Sequence, residues 1–217
     1  MKAYKKLLTT LCLTLTLLAT SLITSLPTAS HAQVAPPTCP GNLVANGDFT
    51  SGLVSGPINN GGAANGWTGY GTPDVGTGMG AQDGGFVGMW GNMNPAIGEG
   101  LRQVLPAALT NGRTYLISLQ ARLNPGSPQN YAHFRVRLST AQVDGWGTAD
   151  TAGRTTTPIT GAAWQPVNFI YTVPATRTYQ HLTINVENNL NVNSRPMTSS
   201  GLVDNVCSHV AQSVRPP

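Results

Sequence analysis

Lysine is absent from this chain after residue 6. Removing Lys2, Lys5 and Lys6 from the twelve basic residues leaves nine arginines, against eight acidic residues. These remaining charges are sparse and mixed in sign, whereas a nucleic-acid-binding surface needs a basic cluster with interleaved aromatics. The composition therefore argues against DNA or RNA as a partner.

Long apolar runs are also absent beyond the first 30 residues. The first six residues include three lysines, Leu7 to Leu22 is an apolar run rich in Leu and Thr, and Ser30-His31-Ala32 places small residues third and first before a cleavage point. This pattern predicts a secretory signal peptide over residues 1–32, cleaved near Ala32, and hence a secreted or extracytoplasmic protein. The run is too short and too rich in threonine for a membrane span, and no later stretch approaches 18 apolar residues. No transmembrane segment is expected.

Cysteine is scarce, since only Cys39 and Cys207 remain once the leader is removed. An exported chain enters an oxidising compartment, where an even number of cysteines favours a disulfide over a metal site. Closing so long a loop would stabilise the fold by roughly 5 kcal/mol at most in the chain-entropy model. The alternative is a pair of buried free thiols.

No linker, charge run or repeat divides the chain between these cysteines. Residues 33–38 form a short Pro-rich lead-in and residues 213–217 a tail, which leaves a single predicted domain over residues 39–212. Residues 51–84 are mostly Gly, Asn, Thr and Ala, a composition that predicts a long surface loop.

Helical periodicity is absent after the leader, and alternation with a period of two takes its place. Apolar and polar residues alternate along residues 114–123, and the segments 132–139, 167–173 and 182–187 repeat the pattern. Strands with one apolar face predict antiparallel sheets that are packed on one side. Further strands are predicted over residues 43–49, 85–90, 101–105 and 202–210. About eight short strands with Gly-rich connections predict an all-β, antiparallel jelly-roll sandwich.

Five motifs follow one another in a fixed order along the chain. They are Asn42-Leu-Val-Ala-Asn-Gly-Asp-Phe49, Gly66-Trp-Thr-Gly-Tyr70, Glu99-Gly-Leu-Arg-Gln-Val-Leu105, Asn111-Gly-Arg-Thr-Tyr-Leu-Ile-Ser-Leu-Gln-Ala-Arg122 and Gly201-Leu-Val-Asp-Asn-Val206. In this order they resemble the carbohydrate-binding modules of families 4, 9, 16 and 22. The resemblance implies a galactose-binding-like jelly roll that packs Trp67 into its core and holds polysaccharide on a concave polar face or at the loop edge.

The polar positions of the alternating segments supply the candidate glycan-binding residues. Charged and amide side chains bond sugar hydroxyls, and the amphipathic rings of Trp and Tyr suit stacking on sugar faces. Trp90 and Tyr131 are flanked by turn residues and are expected as stacking platforms at an exposed rim. If residues 114–123 and 132–139 form neighbouring strands, their arginines crowd beside Glu187 and favour an acidic glycan. The predicted set is Trp90, Gln120, Arg122, Tyr131, Arg135, Arg137 and Glu187; the alternative is a solvated face whose Arg–Glu pairs are worth little.

The resemblance also implies one structural calcium between the first and last strands, with Asp48 and Asp204 at the acidic positions. Thr50 stands where the family usually has glutamate, and a missing carboxylate weakens a site for a hard cation. The alternative is that Asp48 bonds backbone amides in the Asn46-Gly47-Asp48 turn. No other cofactor is expected.

Motifs of catalysis are missing, since the chain has no Gly-x-Ser-x-Gly elbow and no His-Glu-x-x-His. Glu99 and Glu187 could act as a glycosidase pair only if they lay about 5 to 10 Å apart across a cleft, and nothing in the sequence places them so. We therefore expect a secreted, non-catalytic protein that binds a poly- or oligosaccharide. The alternative is an extracellular or cell-envelope structural or adhesion protein that uses the same sandwich for contacts with a protein partner.

Overall fold

The alternating segments form two antiparallel sheets that face each other across an apolar core. The computed structural model describes residues 39–58, 60–81, 84–91, 98–126, 131–142, 151–155, 157–187 and 199–211. They belong to one compact unit, Ala35–Pro217. The predicted signal peptide, the lead-in and the tail lie outside the described residues.

The first sheet has six strands, in the order β1-β3-β4-β11-β6-β9. Their bounds are Gly56–Pro57 (β1), Asp74–Thr77 (β3), Gly85–Gly91 (β4), Ser199–Val210 (β11), Thr114–Leu123 (β6) and Gln165–Thr172 (β9). The last strand of the chain thus lies in the middle of this sheet, between β4 and β6, and a bulge between Asp204 and Cys207 interrupts its pairing with β6.

The second sheet has five strands, in the order β2-β5-β10-β7-β8. Their bounds are Thr68–Tyr70 (β2), Gly100–Leu109 (β5), Tyr179–Val186 (β10), Phe134–Ser139 (β7) and Thr151–Thr155 (β8). Every strand pairing within the described parts of the chain is antiparallel. The predicted jelly-roll sandwich is confirmed, with eleven strands described rather than about eight.

The core lies between the sheets and takes alternate residues from β4, β6, β7 and β10. From β6 it receives Tyr115, Ile117 and Leu119, all at most 2% exposed. Full burial of one large apolar side chain contributes about 1.5 to 3 kcal/mol. The sheets approach so closely at Gly201 that a Cβ there would lie 2.6 Å from the Cβ of Ala132. A side chain at Gly201 would therefore push the layers apart.

Trp67 is a core residue, as the resemblance implied. It is 6% exposed, its ring centroid lies 5.2 Å from that of Phe49, and its Nε1 donates to the Asn46 carbonyl at 2.9 Å. Burial of this indole is possible because its single polar group has an acceptor.

Two predictions about local structure are wrong. Residues 43–49 are a turn rather than a strand, although Leu43 N bonds Ser208 O at 2.7 Å. Asn46 and Phe49 have positive φ values of 47° and 55°, which a regular strand excludes. The predicted loop over residues 51–84 contains β1, β2 and β3, because alternating small residues can still pair as strands at a sheet edge.

The disulfide is confirmed. Cys39 and Cys207 are bonded, with Cα atoms 6.2 Å apart and 168 residues of sequence separation. The bond ties the start of the domain to β11 at the centre of the six-stranded sheet. Within the described residues, no helix is long and apolar enough to cross a membrane.

Candidate functional site

The predicted binding residues divide between the two sheets. Consecutive in sequence, β6 and β7 belong to different sheets, so the expectation that they are neighbours is wrong. We call the outer surface of the five-stranded sheet the arginine face; it carries Tyr70, Arg102, Arg135, Arg137, Thr183, Asn185 and Glu187. We call the outer surface of the six-stranded sheet the tryptophan face; it carries Trp90, Gln120, Arg122, Leu202 and Asp204.

Register pairing organises the arginine face into rows that run across the strands. Thr183 of β10 pairs with Arg102 on one side and Arg137 on the other. In the adjacent row, Asn185 lies between Gly100 and Arg135. Residues two apart on a strand point to the same side, so both rows project away from the core.

Polar contacts fix the side chains of these rows. Arg137 Nη2 donates to Asn185 Oδ1 at 3.2 Å, and Arg135 Nη1 lies 3.3 Å from Glu187 Oε1. With the amide of Gln142 turned to face it, Arg102 donates through both terminal nitrogens to the Gln142 oxygen, at 2.6 and 3.1 Å. The face therefore presents guanidinium groups that are held in defined orientations.

The centre of the arginine face is buried. Arg137, Thr183 and Asn185 are at most 3% exposed, so the expectation of an open polar surface is wrong there. Side chains around this buried centre are more accessible to solvent. The Arg135 side chain is 34% exposed, and Tyr70 and Arg102 are half-buried. Within the described residues, Thr183 Oγ1 and Glu187 Oε2 have no hydrogen-bond partner, and buried polar atoms of this kind usually have one in the form of protein, solvent or ligand.

Tyr70 is a residue that the sequence reasoning missed as a site residue. Its ring lies over Gly100, where an added Cβ would collide with Cζ and the hydroxyl oxygen. Because Gly100 pairs with Asn185, the ring lies at the end of the Asn185–Arg135 row. The signal in the sequence was the pairing of an aromatic residue on a short strand with a glycine on its neighbour, which becomes visible only once the register is known.

Tyr131 does not lie at an exposed rim. It is 8% exposed, and its hydroxyl makes no hydrogen bond within the described residues. Desolvation by burial raises the pKa of this phenol. The prediction that its ring is an exposed platform is wrong, since the ring has too little free surface to stack on a sugar.

Trp90 is exposed, as predicted, but on the other sheet. It is 43% exposed on β4, where Val87 and Met89 alternate with it and point into the core. Its backbone N donates to Glu99 Oε2 at 2.6 Å. Trp90 therefore belongs to the tryptophan face and not to the row of arginines.

Gln120 and Arg122 also lie on the tryptophan face, and both are largely engaged or covered. Gln120 is 4% exposed. The Arg122 guanidinium lies 5.7 Å from the Trp164 ring centroid and donates through Nη1 to Met79 O, which also accepts Trp164 Nε1 at 3.0 Å. Desolvation lowers the pKa of Arg122. These contacts fasten the segment around Met79 over the sheet. The expected solvent-facing role is wrong for Gln120, which is buried, whereas Arg122 is half-buried and engaged by Trp164 and Met79.

The calcium prediction gains no support from the side-chain contacts. Asp48 accepts from Thr50 N at 3.4 Å and from Thr50 Oγ1 at 3.0 Å, as in the turn alternative, and Asp204 Oδ1 accepts from Asn205 N at 2.6 Å. Among the described residues, neither aspartate belongs to a group of three His, Cys, Asp or Glu that could hold a metal, and calcium takes six to eight oxygen ligands. Calcium also takes backbone oxygens as ligands, so the site at Asp48 and Asp204 stays a prediction.

Comparison with known proteins places this geometry in a family. The sequence model of the family described as "Carbohydrate binding domain" (CBM_4_9) matches residues 41–194. The chain belongs to this family. The match covers every described strand except β11 and confirms the resemblance inferred from the motifs.

Solved structures of other proteins are similar to this chain. The arabinose-bound α-L-arabinofuranosidase MgGH51 is similar over 78% of this chain, at 12% identity and a TM-score of 0.54, and the chain spans 26% of that enzyme's length. The CBM22-2 xylan-binding domain of Xyn10C from Paenibacillus barcinonensis aligns over 73% of this chain and 99% of that domain, at 19% identity and a TM-score of 0.47. The likeness to the arabinofuranosidase shows a shared fold and nothing of its activity. Among curated proteins, none matches this sequence significantly.

Proposed function

We propose that this protein is a secreted, non-catalytic glycan-binding module that holds a poly- or oligosaccharide on its arginine face. Membership of the carbohydrate-binding domain family supports glycan as the ligand class. The arginine face is proposed as the binding surface because the Tyr70 ring lies over Gly100, in the same row as Asn185 and Arg135.

An aromatic ring beside anchored polar groups is suited to a sugar. The ring supplies apolar surface for the C–H side of a pyranose, while guanidinium and amide groups donate to its hydroxyls. Arg135 is preorganised by Glu187, so a ligand would meet donors already in place, and preorganisation lowers the cost of binding.

Each of the two glutamate carboxylates is engaged by other groups of the protein. Glu187 pairs with Arg135 on the arginine face. Glu99 Oε1 accepts from Thr72 Oγ1 at 2.8 Å and Oε2 from Trp90 N at 2.6 Å, so its carboxylate joins β5 to β4. A glycosidase needs two carboxylates that flank one bond across a shared cleft. The engagement of both carboxylates in contacts within the protein supports binding without cleavage.

The decisive experiment compares one aromatic from each face. Tyr70→Ala and Trp90→Ala would be tested with wild type on a glycan array and then by affinity electrophoresis in the retained polysaccharide. We expect Tyr70→Ala to weaken retention by about tenfold or more, on the scale of one lost stacking contact, and Trp90→Ala to leave it unchanged. The opposite result would move the site to the tryptophan face.

A blank array with folded wild-type protein would reject glycan binding and leave the protein-contact alternative as the function to test. Release of shortened oligosaccharides by wild type, lost in Glu187→Gln, would reject the non-catalytic assignment.

Export is part of the same proposal, and the Cys39–Cys207 disulfide supports it because such bonds persist in oxidising compartments. N-terminal sequencing of the mature protein should give a start near Gln33. An uncut chain retained with the cytoplasmic fraction would contradict export.

A further inference from the structure

We infer that the glycan is acidic, with uronic acid carboxylates held by Arg102 and Arg135 beside the Tyr70 platform. This inference rests on the proposed function and adds to it the charge class of the ligand and the two residues that select it.

The arginine face carries more arginines than acidic residues. Among the described residues its three neighbouring strands β5, β10 and β7, with the residue that follows β10, carry three arginines and one glutamate. The known contacts of Arg137 and Arg102 include neutral amides, Asn185 and Gln142. Guanidinium groups can bond the hydroxyls of a neutral sugar, but only a carboxylated sugar would form charge-assisted pairs with them.

The arginines of this face differ in their exposure to solvent. Arg137 is 3% exposed and is therefore part of the support beneath the ligand, whereas the Arg135 side chain is 34% exposed. Arg102 directs both terminal nitrogens at one oxygen of Gln142, and Gln142 is an exposed residue. That fork is thus already presented to an acceptor at the surface, in a position that a carboxylate of the ligand could take over.

The spacing between Arg102 and Arg135 also supports the inference. Arg102 and Arg135 lie two strands apart and in adjacent rows. With strands about 4.8 Å apart and a rise of about 3.4 Å per residue, their Cα atoms are roughly 12 Å apart. The Tyr70 ring lies over Gly100, in the same row as Arg135 and next to Arg102 along β5. A sugar ring on this platform would place its edges toward both guanidinium groups.

Chemistry favours arginine in both positions. A guanidinium binds a carboxylate through two parallel hydrogen bonds, and such charge-assisted pairs are about twice as strong as neutral ones. Lysine offers a point charge without the planar fork. Selectivity for uronic acids should therefore depend on the fork as well as on the positive charge.

The test uses polysaccharides that differ only in charge. Polygalacturonate, alginate and glucuronoxylan would each be presented beside its carboxyl-reduced form to the full chain in affinity electrophoresis, at low and at high salt. We expect at least one acidic form to be retained about tenfold or more tightly than its reduced form, and salt to weaken that difference.

Three variants sharpen the result. Arg102→Gln and Arg135→Lys should each cost about tenfold for the acidic form and little for the reduced form, by loss of a charge-assisted pair. Arg113→Gln is the matched control, because Arg113 is an exposed arginine that precedes β6 in the other sheet. Thermal melting of each variant would show that it is folded.

The outcomes separate this inference from the proposed function. Equal or tighter retention of the reduced forms, or retention of neutral glycans alone, would overturn acidic selectivity while glycan binding stands. Retention of no polysaccharide of either kind would overturn both. An acidic preference that survives in Arg102→Gln and Arg135→Lys alike would overturn the assignment to these two residues.

Discussion

The two outer faces of this sandwich carry similar residue types in opposite states. On the arginine face, Arg135 and Tyr70 retain accessible surface above a buried polar floor. On the tryptophan face, Arg122 is stacked on Trp164 and bound to Met79 O, and the disulfide crosses the same sheet. The comparison shows that an arginine can be oriented by a partner on either face, and the proposal that the arginine face binds the glycan makes the two faces differ in function.

The largest effect should come from removing the disulfide. In Cys39→Ser/Cys207→Ser, unfolding in urea should show a loss of stability of about 2 to 5 kcal/mol, because the unfolded chain is no longer cross-linked. Glycan retention at temperatures where the variant is folded should be unchanged. A binding defect in the folded variant would show that the two faces are not separate in function.

The second effect should come from filling the space under Tyr70. Gly100→Ala forces the Tyr70 ring off its position, so we expect about tenfold weaker glycan retention and a loss of about 1 to 3 kcal/mol of stability from overpacking. Gly161→Ala is the control, since a Cβ there meets only open space or ordinary contacts. Unchanged retention in Gly100→Ala would remove Tyr70 from the site.

The alternation of residues predicted each strand's buried side well, as for Tyr115, Ile117 and Leu119. It could not predict that β6 and β7 separate into different sheets, because alternation fixes which side of a strand is buried and not which strand lies beside it. Gln120 shows the second limit. It is polar and outward-facing in the pattern, yet it is buried because the outer side of its sheet is itself covered.

Tyr70 shows the third limit. Its motif was read as a sign of the fold, whereas its place in the site depends on the pairing of β2 with β5, which brings it over Gly100. Residue types and periodicity are local properties, but a site is assembled by contacts between distant segments.

A smaller effect is expected on the tryptophan face. Arg122→Ala removes the cation–π contact with Trp164 and a hydrogen bond to Met79 O, which together should cost about 1 to 2 kcal/mol of stability. Calorimetry and glycan retention would be measured together, and retention should not change. Loss of retention at full stability would place ligand contacts on this face.

The smallest effect concerns Glu99, which lies where the two sheets meet. Burial raises the pKa of Glu99, so its protonated form is favoured by folding, and the stability this provides at low pH is lost as pH rises through the folded pKa. Glu99→Gln removes that dependence while keeping an acceptor for Trp90 N. As the pH is raised from acidic to neutral, the Tm of the variant should rise relative to the Tm of wild type. A constant difference would show that Glu99 is not destabilised when charged.

The bond between Cys39 and Cys207 also has a mechanical meaning. A chain tethered at both ends of the domain would pass tension from one end to the other through a covalent link. Apart from the pairs made by residues 208–210, the strand pairing of both sheets, with the rows that carry Arg135 and Tyr70, lies within the enclosed loop and would be shielded from the load. Tension applied across the domain should therefore not extend the segment between the two cysteines.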